Sequence, residues 1–212
     1  MCTGRVDLAF VLRAFSNGMD GVFIGGCHLN ECHYITDGNY HALGMVKLCK
    51  KIMEHIGLNS DRLRIEWVSS GEGIRFAEIM NDFAKKLTNL GPLGEGEGVG
   101  ASELKLKLEA VTKLVPYIRL VERERLRVPL KSQEEYDKFF ASAELNRLFK
   151  ETIGDKLAMS QIVVLLRDRP LPTGEIARIL GLTPSEVSKH LGSSTNQGLV
   201  RYDEGQKCYA LA

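Results

Sequence analysis

The opening of the chain alternates two periods. Leu8, Val11, Leu12 and Phe15 recur at helical spacing until Gly18, and "GVFIGG" (Gly21–Gly26) then runs apolar between glycines, as a buried strand does. "HALGMVKLCKKIMEHIGL" returns to the helical period, with Met45, Cys49, Ile52, Met53 and Ile56 on one face and Gly57 as its C-cap. "RLRIEWVS" alternates Leu63, Ile65 and Trp67 as a second strand. "EGIRFAEIMNDFAKKLTNLG" predicts a helix with Phe76, Ile79, Met80 and Phe83 turned inward. Helix, strand, helix, strand, helix implies a parallel sheet with crossover helices. Two strands are few for such a sheet, so residues 1–93 read as an α/β domain with an incomplete doubly wound parallel sheet.

"GPLGEGEGVGAS" (Gly91–Ser102) has the composition of a linker. Beyond it, Leu104, Leu108, Val111, Val115 and Ile118 keep helical spacing, and Pro116 is expected to kink or end that helix. The charged run that follows, "VERERLRVPLKSQEEYDKFFASAELNRLF", completes a helical arm over residues 94–152, solvated on one face. Residues 153–212 follow a different pattern. "MSQIVVLLRDRP", "TGEIARILG" and "TPSEVSKHLGSSTNQ" predict three helices, the third opened by Thr183, Pro184 and Glu186 as N-cap, first-turn proline and capping-box acid. "LVRYDEGQKCYAL" predicts a hairpin around Glu204 and Gly205. Three helices and a hairpin, with a glycine turn between the second and third, form a winged helix-turn-helix pattern.

Composition narrows the setting without choosing a function. The chain has 212 residues, 44% hydrophobic and 26% charged, with a formal net charge of +1, so no overall field draws it to nucleic acid or membrane. No apolar run approaches the ~20 residues that span a bilayer, and Met1 to Phe10 lacks a signal-peptide core. A cytoplasmic protein without membrane insertion is expected. The cysteines are Cys2, Cys27, Cys32, Cys49 and Cys208; in a reducing compartment, clustered thiols point to metal or redox chemistry rather than disulfides.

"GGCHLNECHY" (Gly25–Tyr34) concentrates that chemistry. Cys27 and Cys32 stand at C-x₄-C spacing, one of the gaps used by iron–sulfur ligands; zinc sites also allow it but draw on two pairs. A buried pair of thiols and a cysteine nucleophile activated by histidine are the competing readings. Cys2 precedes the helix whose following strand delivers Cys27. A strand ending at Met1 would bring Cys2 to the carboxyl edge shared with Cys27 and Cys32, giving three convergent thiolates, one short of a four-cysteine set. His28 and His33 are candidate hydrogen-bond donors beside such a cluster. Cys49 reads as a core thiol, and Cys208 lies in the hairpin, apart from the site.

The stretches "MCTGRVD", "GMDGVFIGGCHLNECHYITDGNY" and "RLRIEWVSSGEGIRFAEIMNDF" resemble the delta subunit of methyl-viologen-reducing hydrogenase over about Met1 to Leu93. The resemblance implies an iron–sulfur electron-transfer subunit that links hydrogenase, or another donor, to heterodisulfide reductase. It implies a 2Fe–2S cluster matched by Cys2, Cys27 and Cys32, carrying electrons rather than completing a catalytic site. Members of that family have an upstream strand and a further cysteine motif, so the remaining strand and the fourth ligand are expected outside Met1–Ala212. Such a subunit works inside a complex, and exposed apolar surface is expected on the first segment. The tail resembles winged-helix domains of the small bacterial repressor type. Ser185, Ser188, Lys189 and His190 are then the candidates for DNA contact. From Asp155 onward seven basic residues face six acidic ones, a meagre balance for neutralising phosphate. A redox-responsive DNA-binding regulator is the alternative to the electron carrier.

Overall fold

The computed structural model describes residues 2–34, 37–128 and 132–212. Ile35 and Thr36 of the cysteine loop, Pro129 to Lys131 of the charged run and Met1 lie outside the described residues.

Helix α1 (Leu8–Ser16) starts at Asp7, whose carboxylate accepts the backbone N–H of Ala9 at 2.8 Å. Its predicted stripe is buried: Leu8, Val11, Leu12 and Phe15. Strands β1 (Val22–Gly26) and β2 (Leu63–Trp67) pair in parallel, with Ile24 opposite Ile65 and Gly26 opposite Trp67. The crossover helix α2 (Asn39–His55) buries Met45, Cys49, Ile52 and Met53 as the periodicity requires. Among the described residues this sheet has two strands, a small parallel sheet in a mostly helical molecule.

Helix α3 (Gly73–Leu90) departs from expectation. Of the stripe expected to turn inward, only Phe83 is buried and Phe76 is 46% exposed; Ile74, beside it in the first turn, is 82% exposed. Phe23 of β1 reaches α3 through ring contacts with Phe76 and Phe83 at 6.0 and 6.1 Å, and the N-terminal half of the stripe is left uncovered.

The segment after the glycine-rich stretch presents one face to solvent and buries the other in the core. Helix α4 (Ala101–Arg125) runs unbroken through Pro116, and Leu108, Val111, Val115 and Ile118 are buried with α1 and α2 in one cluster. Burial on both sides of Pro116 (Val115 and Ile118) holds the helix together where local propensity would end it. The glycine-rich stretch before it is also fastened. Arg62, fully buried, donates to Glu97 and to the carbonyls of Asp20, Leu90, Gly91 and Pro92.

Helices α5 (Gln133–Ala141) and α6 (Ala143–Phe149) lead through one π-helical turn, Lys150–Gly154, into α7 (Asp155–Leu166). Helix α7 serves two clusters. Leu157 and Val164 join the first, while Ile162 and Leu166 pack with Leu171, Ile176, Val187, Leu191 and Val200. That second cluster closes α8 (Thr173–Leu180), α9 (Pro184–Asn196) and an antiparallel hairpin, β3 (Val200–Asp203) with β4 (Cys208–Leu211). Gly181, at φ +66°, makes the tight turn between α8 and α9. Thr183 and Glu186 form the capping box that opens α9. Leu171 and Tyr209 exchange backbone hydrogen bonds, tying the hairpin to the α7–α8 connection.

Candidate metal centre

Cys27 leaves the carboxyl end of β1 at the surface, and Cys32 folds back beneath it to 7% exposure. Cys2 reaches the same place. A 3₁₀ turn (Thr3–Arg5) holds it, with Gly4 N–H directed at its sulfur at 3.4 Å, and Thr3 Oγ1 donates to Gly25 O of β1 at 2.8 Å. The sulfurs of Cys2 and Cys32 are 3.5 Å apart across 30 residues of chain.

Two glycines permit this approach. A methyl group on Gly38 would overlap the Cys32 sulfur and the Tyr34 carbonyl, and one on Gly4 would overlap the carbonyls of Asp37 and Gly38. Gly38→Ala is therefore expected to displace Cys32 and destabilise the chain by about 1–3 kcal/mol, the cost of overpacking a filled site. A lower urea midpoint together with faster alkylation of the Cys32 thiol checks it.

Asn39, 1% exposed at the start of α2, fixes the loop from inside. Its Nδ2 donates to Cys27 O at 2.9 Å and His28 O at 2.8 Å and lies 3.9 Å from the Cys27 sulfur. Asn39 Oδ1 is buried without a partner among the described residues. Tyr40 OH donates to Asn30 Oδ1 at 2.9 Å, holding the loop where Asn30 takes φ +71°. Sequence reasoning missed Asn39, Gly38 and Gly4. The one available signal was "GN" immediately before a helical period.

The environments of the two loop thiols differ. Burial pushes the Cys32 thiol up, but backbone N–H groups of Asn39 and Tyr34 and the neighbouring thiols of Cys2 and Cys27 outweigh it and hold it below its ordinary value. Cys27 is raised, first by burial and then by Cys32 and Cys2. Cys49, inside α2, is pushed up to about 12 by burial. Cys208 is buried in the hairpin, where its thiol donates to Gln206 Oε1 at 3.6 Å.

The histidines stand outside the sulfur contact. His28 Nε2 lies 2.6 Å from Glu72 Oε2 at the start of α3, a carboxylate that also accepts Ser69 N–H. His33 is exposed, its ring edge-on to Tyr34. In the C-terminal segment, Ser185, Ser188 and Lys189 are exposed, with Lys189 paired to Asp155 at 3.0 Å. His190 is not presented to solvent. It shares the buried stripe of α9 with Val187, Leu191 and Ser194, because residues at i, i+3, i+4 and i+7 line one helix face.

Two of the three thiols thus have the separation a metal would ask of them. Tetrahedral coordination with metal–sulfur bonds of about 2.3 Å sets neighbouring sulfurs ~3.8 Å apart, close to the 3.5 Å between Cys2 and Cys32. Among the described residues no three His, Cys, Asp or Glu side chains are arranged to hold a single metal ion.

A family model described as the delta subunit of methyl-viologen-reducing hydrogenase matches residues 1–91, and one described as bacterial regulatory protein, arsR family, matches residues 158–202. The iron-sulfur subunit of an F420-non-reducing hydrogenase from Archaeoglobus profundus is 47% identical over 91 residues, 43% of this chain and 66% of that protein. The vhc iron-sulfur subunit of the F420-non-reducing hydrogenase of Methanococcus voltae is 41% identical over 100 residues, 47% of this chain and 69% of that protein. One subunit of the ferredoxin/F420H2-dependent CoB-CoM heterodisulfide reductase of Methanosarcina acetivorans is 45% identical over 94 residues, 44% of this chain and 12% of that protein. The chain therefore spans just under two thirds of the Archaeoglobus relative and about an eighth of the Methanosarcina one.

Proposed function

The chain belongs to the delta-subunit family of methyl-viologen-reducing hydrogenase, and from that premise we propose that it is an electron-transfer subunit whose Cys2, Cys27 and Cys32 hold a 2Fe–2S cluster. The observation that carries the reading is the contact of Cys2, distant in sequence, with Cys32 of the loop that also bears Cys27, at one end of β1. When bound, an iron–sulfur cluster takes up and gives back one electron at a time. The chain's own residues do the rest. Cys32 is kept inside and stabilised as thiolate by backbone N–H groups, which a metal ligand requires. Asn39 locks the carbonyls of Cys27 and His28, which fixes the backbone that carries Cys27. Cys27 is exposed, so an incoming redox partner meets the site there.

The partners proposed are hydrogenase and heterodisulfide-reductase-like subunits in the cytoplasm, by analogy with the relatives from Archaeoglobus and Methanosarcina. No described helix is long and apolar enough to cross a membrane. The uncovered face of α3 supports assembly. Its first turns carry Ile74 and Phe76, and its N-cap Glu72 is bonded to His28 beside Cys27. Ile74→Glu is expected to leave iron content and thermal stability unchanged while slowing reduction of the chain by a cognate electron donor, read by stopped-flow absorbance. Iron and acid-labile sulfide measured on chain purified without oxygen test the cluster itself. A chain free of both defeats the reading.

The second reading is a redox-responsive regulator, favoured by the arsR-type match and by three helices with a hairpin behind them. Here α7, α8, α9 and the β3–β4 hairpin form a winged helix, with Ser185, Ser188 and Lys189 facing DNA. Helix α7 shares hydrophobic contacts with both clusters and links that module to the cysteine-bearing half. DNA affinity measured with the cluster oxidised, reduced and removed separates the two. Negligible affinity in all three states eliminates regulation and leaves the module as a docking domain.

A further inference from the structure

The contact between Cys2 and Cys32 has a chemistry of its own. Their sulfurs lie 3.5 Å apart. A disulfide requires closure to about 2.05 Å, a movement of ~1.5 Å at the tips of two side chains. Cys2 is half-buried and within reach of a small oxidant, while Cys32 lies behind it at 7% exposure. Cys27 is exposed and its side chain also interacts with Cys32, yet its backbone carbonyl is held by Asn39, and the 3.5 Å sulfur contact joins the other two.

We infer that when the site holds no cluster, Cys2 and Cys32 act as a reversible dithiol–disulfide pair oxidised by peroxide, leaving Cys27 as a thiol. This deepens the cluster reading, since it says what the same sulfurs do once iron has gone. The Cys2 thiolate attacks one peroxide oxygen, the O–O bond breaks, and a sulfenic acid and one water result. The Cys32 sulfur then attacks the Cys2 sulfur and expels the sulfenic oxygen as a second water. Two thiols and one hydrogen peroxide give one disulfide and two waters, each sulfur losing one electron and each thiol proton leaving in water. An external dithiol reverses the step by exchange, becoming a disulfide itself. The pair thus halts oxidation at a reducible stage, short of the irreversible sulfur acids. It also blocks reloading with iron until the thiols return.

The test uses the full chain purified without oxygen, stripped of iron by a chelator and treated with one equivalent of hydrogen peroxide. Free thiols are alkylated under denaturing conditions and the digest is mapped by mass spectrometry. Of the five cysteines, Cys2 and Cys32 are expected in one cross-linked peptide and Cys27, Cys49 and Cys208 alkylated. Cys27→Ser should form the same link, and iron uptake should vanish on oxidation and return after dithiothreitol. A link between Cys27 and Cys32, sulfinic acid on Cys2, or five free thiols overturns the inference. If the link forms on a chain that never takes up iron, the inference stands and the cluster reading falls. If iron binds but the stripped chain forms no Cys2–Cys32 link, the inference alone falls.

Discussion

Cys32→Ser is expected to reduce the iron and acid-labile sulfide of anaerobically purified chain to background while leaving a folded protein. Cys32 is the middle of the constellation. It touches Cys2, interacts with Cys27 and receives backbone N–H groups from Asn39 and Tyr34. A serine oxygen there is harder and shorter and does not ionise near neutral pH, so it replaces neither the bond nor the charge. Cys49→Ser is the contrasting control. Its thiol is wholly buried in the hydrophobic core, where burial pushes it up to about 12. Iron should be retained, with a stability loss of roughly 1–3 kcal/mol for a hydroxyl placed in an apolar core. Iron, sulfide and visible absorbance, measured with urea midpoints on both variants, check the pair. Full iron in Cys32→Ser would remove the site as assigned.

The sequence carries the local devices well and the covering of surfaces poorly. The stripe of α1, the glycine-bounded β1, the alternation of β2 and the Thr183–Glu186 capping box all act within a few residues, and all stand where the sequence predicts them. The apolar stripe of α3 is equally visible, but a stripe says only that something should cover it, and among the described residues little does. Pro116 by itself predicts a break, whereas the tertiary burial of α4 decides the outcome. Lys189 and His190 are neighbours on a charged-looking stretch, and only the spacing to Val187, Leu191 and Ser194 separates the exposed residue from the buried one. At the candidate centre the thiols are legible because cysteine spacing is itself the signal. Asn39 and Gly38 are not, since a buried amide holding two carbonyls and a missing methyl group depend on where the loop returns. Cys2 lies against Cys32, and the Thr3–Gly25 hydrogen bond ties its turn to β1.

Arg62→Met is expected to cost about 3–5 kcal/mol, the penalty for leaving one member of a buried ion pair without its partner. Arg62 is fully buried, and its guanidinium meets Glu97 through Nε at 2.5 Å and Nη2 at 3.1 Å. Its remaining donors reach the carbonyls of Asp20, Leu90, Gly91 and Pro92 at 2.9–3.3 Å. Methionine fills the space but strands Glu97 and those carbonyls together, and a buried acceptor without a donor bears its full desolvation cost. Lysine keeps the charge and loses the fork, so Arg62→Lys should fall between. The deficit should also depend on pH. Burial pushes Glu97 up, but Arg62 and the N–H groups of Asn59 and Gly94 outweigh it, leaving its folded value below 4.5. A depressed carboxylate contributes stability that is complete above its unfolded value and lost as pH falls through the folded one. The gap between wild type and Arg62→Met should therefore be widest at neutral pH and narrow below about 4.5, read from urea midpoints at matched m-values. A gap of the same size in acid would mean that the carbonyl contacts, and not the Glu97 charge, fasten the glycine-rich turn between α3 and α4.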